Sequence, residues 1–139
     1  SGFGVEIRSC IFALHCLDMH KALFLALKEL QVQTNARCGL HIHVSHPTHP
    51  INSNKLVEMS RHESVRVGRK RKTYTVWEGH EKSHYRAVNQ RKPNHVEFRW
   101  FNGAVDFRYV CQMVRLVNNY CSSVVDDAAL KSPSLAVPG

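Results

Sequence analysis

GLHIHVS, residues 39–45, largely decides how this chain can fold, because polar and apolar side chains alternate along it. Successive side chains of an extended strand point to opposite faces of a sheet, so the three apolar residues would share one face. The other face would carry His41, His43 and Ser45. The stretch therefore predicts a β-strand with one face in the core and one face available for chemistry.

Two further segments alternate in the same way. HVEFRWF, residues 95–101, and GFGVEIR, residues 2–8, each divide into an apolar side and a polar side. The polar side of the first segment holds His95, Glu97, Arg99 and Phe101, and that of the second holds Gly4, Glu6 and Arg8. We expect these two segments and residues 39–45 to form the strands of one sheet.

Amphipathic helices are predicted where apolar residues recur at helical spacing. The predicted spans are 18–33 with Asp18 as N-cap, 54–62, and 106–125. Two prolines within residues 46–54 exclude both a helix and a central strand there, so this segment is expected to be a loop. Residues 84–89 are too short and too mixed for an assignment.

Alternating strands together with amphipathic helices predict an α+β fold, with an antiparallel or mixed sheet and helices packed on one face. We expect a single domain over residues 1–125 and a mobile C-terminal tail over residues 126–139. The open face of the sheet would then present Glu6, Arg8, His41, His43, Ser45, Glu97 and Arg99.

Composition narrows the class of protein. The 139 residues are 43 % hydrophobic and 22 % charged, as in a globular domain, and no apolar run approaches the roughly 18 residues of a membrane span. Five scattered cysteines without a CxxC pair argue against a disulfide framework and a zinc ribbon. We therefore expect a cytoplasmic protein without a membrane partner. The net charge of +8 favours an anionic partner such as ATP, an acidic peptide or nucleic acid.

The predicted polar face combines ligands for a divalent cation with a fixed positive charge. Side chains on neighbouring strands of one face approach to about 5 Å, so a carboxylate and an imidazole can share one ion. Glutamate together with histidine suits Mg²⁺ or Mn²⁺. Arg99, two residues from Glu97, would supply a cation for a phosphate or a carboxylate. These residue types predict a site for phosphoryl chemistry.

The order of the motifs resembles that of the amidoligase family, distant relatives of glutamine synthetase and the glutamate–cysteine ligases. The resemblance is carried by GFGVEIRS, CGLHIHVS, HYRAVN and HVEFRWFNG, in that order, and it extends from about Gly2 to Tyr120. GLHIHVS looks like the histidine strand of the glutamine synthetases, and VEFRWF looks like their glutamate and arginine strand. The resemblance implies a sheet of the glutamine synthetase type.

Roles for individual residues follow from this resemblance alone. It implies that His41 and Glu97 share a metal ion that bridges the nucleotide phosphates, with Glu6 as a further ligand. The residues implied to contact ATP are His43, Ser45 and Arg86. Arg99 falls where the relatives hold the substrate carboxylate or an acyl phosphate, so Arg99 and Glu97 are the implied catalytic residues.

The activity implied by the resemblance is ATP-dependent joining of a carboxylate to an amine, such as those of a peptide or an amino acid, through an acyl phosphate. Family members carry an earlier strand with paired acidic residues, and this sequence starts after that point. We therefore expect an N-terminally incomplete domain. Either the chain is a fragment or a degenerate copy, or a homo-oligomer or a partner chain supplies the missing ligands.

Two other functions compete with this interpretation. The basic run within residues 66–72, from Arg66 to Lys72, could bind nucleic acid or act as a localisation signal, which would make the chain a non-catalytic module for polyanions. A zinc site could form from His41, His43, His46 and His49. We favour the zinc site less than the polyanion module, because no cysteine has the spacing of a zinc ligand.

Overall fold

The sheet predicted from the sequence is present, but one of its three strands is a different segment. The computed structural model describes residues 5–68, 75–79, 82–83 and 85–131. Its strands are β1 (Gly39–Ser45), β2 (Val88–Lys92) and β3 (His95–Asn102). They lie in the order β1-β3-β2 with antiparallel pairing, so β3 is central. Together with the helices, this sheet confirms the α+β class.

The predicted first strand is wrong over residues 5–8, and residues 2–4 lie outside the described ranges. Residues 5–13 have no regular secondary structure, and the side chain of Val5 is exposed, with a relative accessibility of 86 %. Alternation alone does not make a strand, because the segment also needs a sheet edge to pair with and apolar surface to cover. Within this segment Glu6 and Arg8 pair with each other instead, at 2.7 Å between Oε1 and Nε.

The third strand comes from the stretch that the sequence left unassigned. β2 begins at Val88 and is joined to β3 through only two residues, Pro93 and Asn94. So short a connection forces the two strands into an antiparallel hairpin. Residues 85–89, the described part of the segment that was ambiguous in the sequence, therefore run into an edge strand that flanks the central strand.

The helices depart from their predicted ends. A 3₁₀ helix (Leu14–His20) contains Asp18 and leads into α1 (Lys21–Glu29), so Asp18 is not an N-cap. The two remaining helices, α2 (Ser53–Val67) and α3 (Phe107–Lys131), are both longer than predicted. The domain boundary predicted at residue 125 lies inside α3, and residues 132–139 of the predicted tail lie outside the described part. None of the helices in the described ranges is long and apolar enough to cross a membrane.

A β-bulge interrupts the pairing of β1 with β3. Leu40 pairs with Phe101 and Ile42 pairs with Phe98, so His41 alone faces the two residues Arg99 and Trp100. The extra residue reverses the alternation beyond it and brings Phe101 to the side of Leu40. The prediction that Phe101 lies on the polar face is therefore wrong, and its side chain is fully buried.

The core lies between the apolar face of the sheet and helices α2 and α3. Its fully buried members are Leu56, Ala87, Val88, Val96, Phe98, Trp100, Phe101 and Val117. By contrast, α1 has no buried residue and touches the rest of the fold through the packing of Phe24 on Phe107. The sheet is thus backed by helices on one side, and its second face is free to carry polar groups.

A candidate functional site on the polar face of the sheet

Glu97, in the middle of the central strand, is the hub of a polar cluster. Its Oε2 lies 2.8 Å from Nε2 of His43, and its Oε1 accepts a hydrogen bond of 2.6 Å from Nδ2 of Asn89. Nη1 of Arg99 lies 3.5 Å from the same Oε1. Burial alone would raise the pKa of Glu97, but the hydrogen bonds from His43 and Asn89 and the nearby positive charges lower it to about 2. Glu97 is therefore a fixed anion at neutral pH.

The strand register brings these groups together. His43 on β1 and Asn89 on β2 are both Cα partners of Glu97 on β3. Directly opposed residues of an antiparallel pair project their side chains to the same face, about 5 Å apart. Sequence analysis missed Asn89, which is almost fully buried. In the sequence, Asn89 is visible only as a polar residue shortly before the strand of Glu97. Its place in the site becomes clear only when a hairpin is known to pair the two segments.

Arg99 places a buried cation beside the carboxylate. The residue has a relative accessibility of only 8 %, and its Cζ lies 6.0 Å from the centre of the Tyr85 ring. Its Nη1 lies 3.4 Å from Nδ1 of His41 and 3.5 Å from Glu97. Its Nε is buried and finds no hydrogen-bond acceptor among the described residues. Arg99 thus keeps a donor that has no partner in the described ranges and is closed off from solvent.

His41 lies on the other side of Arg99, at the bulge. A guanidinium can only donate hydrogen bonds, so Nδ1 of His41 is the acceptor in its contact with Arg99. The same Nδ1 is 3.9 Å from Oε2 of Glu97. A carboxylate oxygen and an imidazole nitrogen therefore approach one another across the strand pair, with Arg99 in contact with both residues.

His95 joins the cluster through His43. Nδ1 of His43 lies 3.1 Å from Nε2 of His95, and the two ring centres are 5.3 Å apart. Burial lowers the pKa of His95, and the charges of His43 and Lys92 lower it further. Sequence analysis placed His95 on this face but gave it no role, because strand alternation does not show that two rings on neighbouring strands will meet.

The remaining predicted site residues are not part of this hydrogen-bonded set. Ser45 is exposed at the end of β1, where its Cα partner is His95. Glu6 is exposed, and its pKa is lowered first by the hydrogen bond from Arg8, with smaller effects from the charges of His41 and Arg99. It is therefore within electrostatic range of the cluster without belonging to the sheet.

Arg86 lies just before β2. Its backbone forms a parallel bridge with Val76, and its N–H donates to the carbonyl of Ser83. Its Nε is buried and, within the described ranges, meets no acceptor. Arg86 and Arg99 therefore both carry a buried guanidinium N–H without a partner in this part of the chain.

The chemistry of the donors decides which ions the site could hold. In the part of the chain that the structure describes, no group of three or more histidine, cysteine, aspartate or glutamate side chains surrounds one metal position. His46, one of the four candidates for a zinc site, uses its Nδ1 to accept the backbone N–H groups of Thr48 and His49. The four-histidine zinc site therefore has little support in this geometry.

Comparison with protein-family models, with curated proteins and with solved structures finds no match to this chain. The function of this chain must therefore be inferred from the residues of the cluster themselves.

Proposed function

We propose that this chain is an ATP-dependent carboxylate–amine ligase of the amidoligase type, which binds nucleotide and metal on the polar face of its sheet. One observation carries the proposal. His41, His43, Glu97 and Arg99, chosen from two motifs more than fifty residues apart in the sequence, lie in one connected cluster. A carboxylate and imidazoles that can hold a metal ion, together with a guanidinium, can offset the charge on a transferring phosphoryl group.

Glu97 and His41 are the residues that would hold Mg²⁺ or Mn²⁺. The low pKa of Glu97 keeps it charged, and its carboxylate is the hard ligand that these ions prefer. Nδ1 of His41 lies 3.9 Å from Oε2 of Glu97 and now accepts from Arg99, so a metal ion would take the place of Arg99 at this nitrogen. Mg²⁺ commonly takes only one or two carboxylates from a protein, with water and substrate phosphates completing its shell. When bound, the ion would neutralise charge on the phosphates of ATP.

Arg99 would hold the oxygen atoms of the carboxylate substrate or of the phosphoryl group on its way to it. Because the side chain is buried and already held by Glu97 and the Tyr85 ring, little freedom is lost when an anion binds. The Nε atoms of Arg99 and Arg86 are buried donors without a described partner, so a side-chain movement would be needed before an anion could reach them. The role of Asn89 and His43 in this proposal is to fix the carboxylate of Glu97 by hydrogen bonds.

Glu6 and Ser45 have supporting parts in the proposal. Glu6 is close enough for His41 and Arg99 to affect its pKa, so a shift of its segment could bring a second carboxylate to the metal. Ser45 lies at the open end of β1, where a hydroxyl could contact the nucleotide. A second copy of the chain or a partner chain would supply any further acidic ligands.

Calorimetric titration of ATP with Mg²⁺ tests this proposal. We expect Glu97→Gln and Arg99→Gln each to weaken binding at least tenfold, because one removes the metal ligand and the other removes the phosphate cation. Glu58→Gln, at an exposed position of α2, is the matched control and should bind as the wild type does. A thermal melt of each variant separates lost binding from lost folding. Equal affinity in the wild type and in a folded Glu97→Gln variant would contradict the proposed metal site.

A second candidate function, binding of a polyanion, is favoured by one surface feature. An open groove of about 390 Å³ runs along β2 and the hairpin, and its described lining includes Lys82, Arg91 and Lys92 but no acidic residue. The basic run of the sequence adds little, because Arg66 pairs with Glu63 and residues 69–72 lie outside the described ranges.

Salt-dependent binding distinguishes the polyanion function from the ligase. We expect a labelled oligonucleotide to bind with an affinity that falls steeply with salt, and Arg91→Gln to reduce the slope of log K against log salt by about one. Lys28→Gln is the control, because Lys28 lies on α1 and is not among the residues that line the groove. Undetectable oligonucleotide binding at low salt would remove this candidate.

A further inference from the structure

Two imidazole nitrogens face each other at the open end of the cluster. Nδ1 of His43 and Nε2 of His95 are 3.1 Å apart. Two nitrogen ligands of a tetrahedral zinc ion, each at about 2.05 Å from the metal, lie about 3.3 Å from one another. The separation therefore fits a pair of ligands to one ion as well as it fits a hydrogen bond between them, and ion binding would require the rings to turn so that both lone pairs point at the metal.

The carboxylate of Glu97 prepares His43 for a metal ion. Because Oε2 of Glu97 can only accept, the 2.8 Å contact assigns the proton of the neutral His43 ring to Nε2 and leaves the lone pair on Nδ1. Histidines that bind metal ions almost always donate their other ring N–H to such a partner, often a carboxylate. Asn89 and Arg99 in turn hold Oε1 of Glu97, so the carboxylate that orients the His43 ring is itself held in place.

The two histidines project from a rigid frame that is open to solvent. His43 pairs with Glu97 and Ser45 pairs with His95, so His43 and His95 are diagonal neighbours on one face of the strand pair. The side chain of His43 has a relative accessibility of 54 %, so an ion could reach its Nδ1 side. Rigid backbone and open access are both needed in a site that exchanges metal.

We propose that His43 and His95 bind a late first-row divalent ion such as Zn²⁺ through these two nitrogens. Imidazole suits Zn²⁺, Cu²⁺ and Ni²⁺, whereas Mg²⁺ prefers oxygen ligands. Water or an anionic ligand would occupy the remaining positions, which makes this an open site. The proposal does not depend on the ligase activity, and Glu97 acts here as the hydrogen-bond partner of His43, not as a ligand.

Titration of Zn²⁺ by calorimetry, without nucleotide, is the main test. We expect His43→Gln and His95→Gln each to weaken binding at least tenfold. His62→Gln, at an exposed position of α2, is the matched control and should bind as the wild type does. Lys92 is the Cα partner of His95 and its charge opposes a bound cation, so Lys92→Gln should tighten binding several-fold. A structural role for the two histidines would not produce that gain.

A spectroscopic measurement on the wild type tests the two ligand nitrogens directly, without variants that could fail to fold. Long-range proton–nitrogen correlation spectra should show Zn²⁺ shifting Nδ1 of His43 and Nε2 of His95, while the Nε2 proton of His43 is retained. Binding that survives in His95→Gln but is lost in His41→Gln would transfer the ion to the His41–Glu97 pair and overturn the proposal. Absence of Zn²⁺ binding by the wild type at millimolar concentrations would overturn it as well, and this second result would leave the proposed ATP binding untouched.

Discussion

Acid should destabilise this protein through Glu97, and substitution by glutamine isolates the effect. The pKa of this carboxyl group is about 2 in the folded chain against 4.5 for an ordinary glutamate. Each pKa unit is worth about 1.4 kcal/mol, so the charged form adds about 3 kcal/mol to the free energy of unfolding at neutral pH. A lowered pKa means that this contribution is complete above about pH 5 and is lost as the pH falls toward 2.

The assay is urea unfolding at several pH values between 7 and 2, monitored by circular dichroism. The difference in unfolding free energy between the wild type and Glu97→Gln should shrink by about 3 kcal/mol over this range. Glu58→Gln removes an exposed carboxylate of α2 and should follow the wild type at every pH. The reasoning is refuted if the wild type and Glu97→Gln lose stability in parallel, because Glu97 would then titrate alike in the folded and unfolded chains.

Three further predictions concern stability, and each is measured by the same urea unfolding at pH 7. Asn52→Ala should cost about 1 kcal/mol, because the Asn52 side chain accepts the N–H groups of Asn54 and Lys55 at the start of α2. Leu56→Ala should cost about 2–5 kcal/mol, because Leu56 is fully buried in the core. Gly103→Ala should cost about 1–3 kcal/mol, because its new Cβ would lie 2.6 Å from Cβ of Cys38. A loss below about 0.5 kcal/mol in any of the three would contradict the contact on which it rests.

Alternation of polar and apolar residues predicts a strand correctly only where the segment also has a neighbouring strand to pair with. β1 has the predicted bounds, because its apolar side chains meet the core and two of its polar ones, His41 and His43, meet Glu97. Residues 2–8 alternate equally well, yet the described residues among them form no strand. Conversely, β2 pairs with β3 although it alternates little, since a two-residue turn holds it there. Periodicity is local information, whereas pairing depends on what lies beside the segment in space.

The residues of the site divide in the same way into those that local alternation groups together and those that only the pairing of strands brings together. Residues on one strand face, such as His41 with His43 and Glu97 with Arg99, could be grouped from alternation alone. Asn89 could not be added, because its place depends on the register of the hairpin. The contact between His43 and His95 was also out of reach, since a diagonal approach of two rings depends on side-chain torsions.

The bulge in β3 links the core to the cluster. One extra residue allows Arg99 to remain on the polar face with Glu97 while both Trp100 and Phe101 are fully buried. In a regular strand, burying Phe101 beside Leu40 would have turned Arg99 toward the core as well, because residues of equal parity share a face. The position of the guanidinium therefore depends on the packing of two aromatic side chains. For this reason the cation beside Glu97 is held by the hydrophobic core and not by the polar contacts alone.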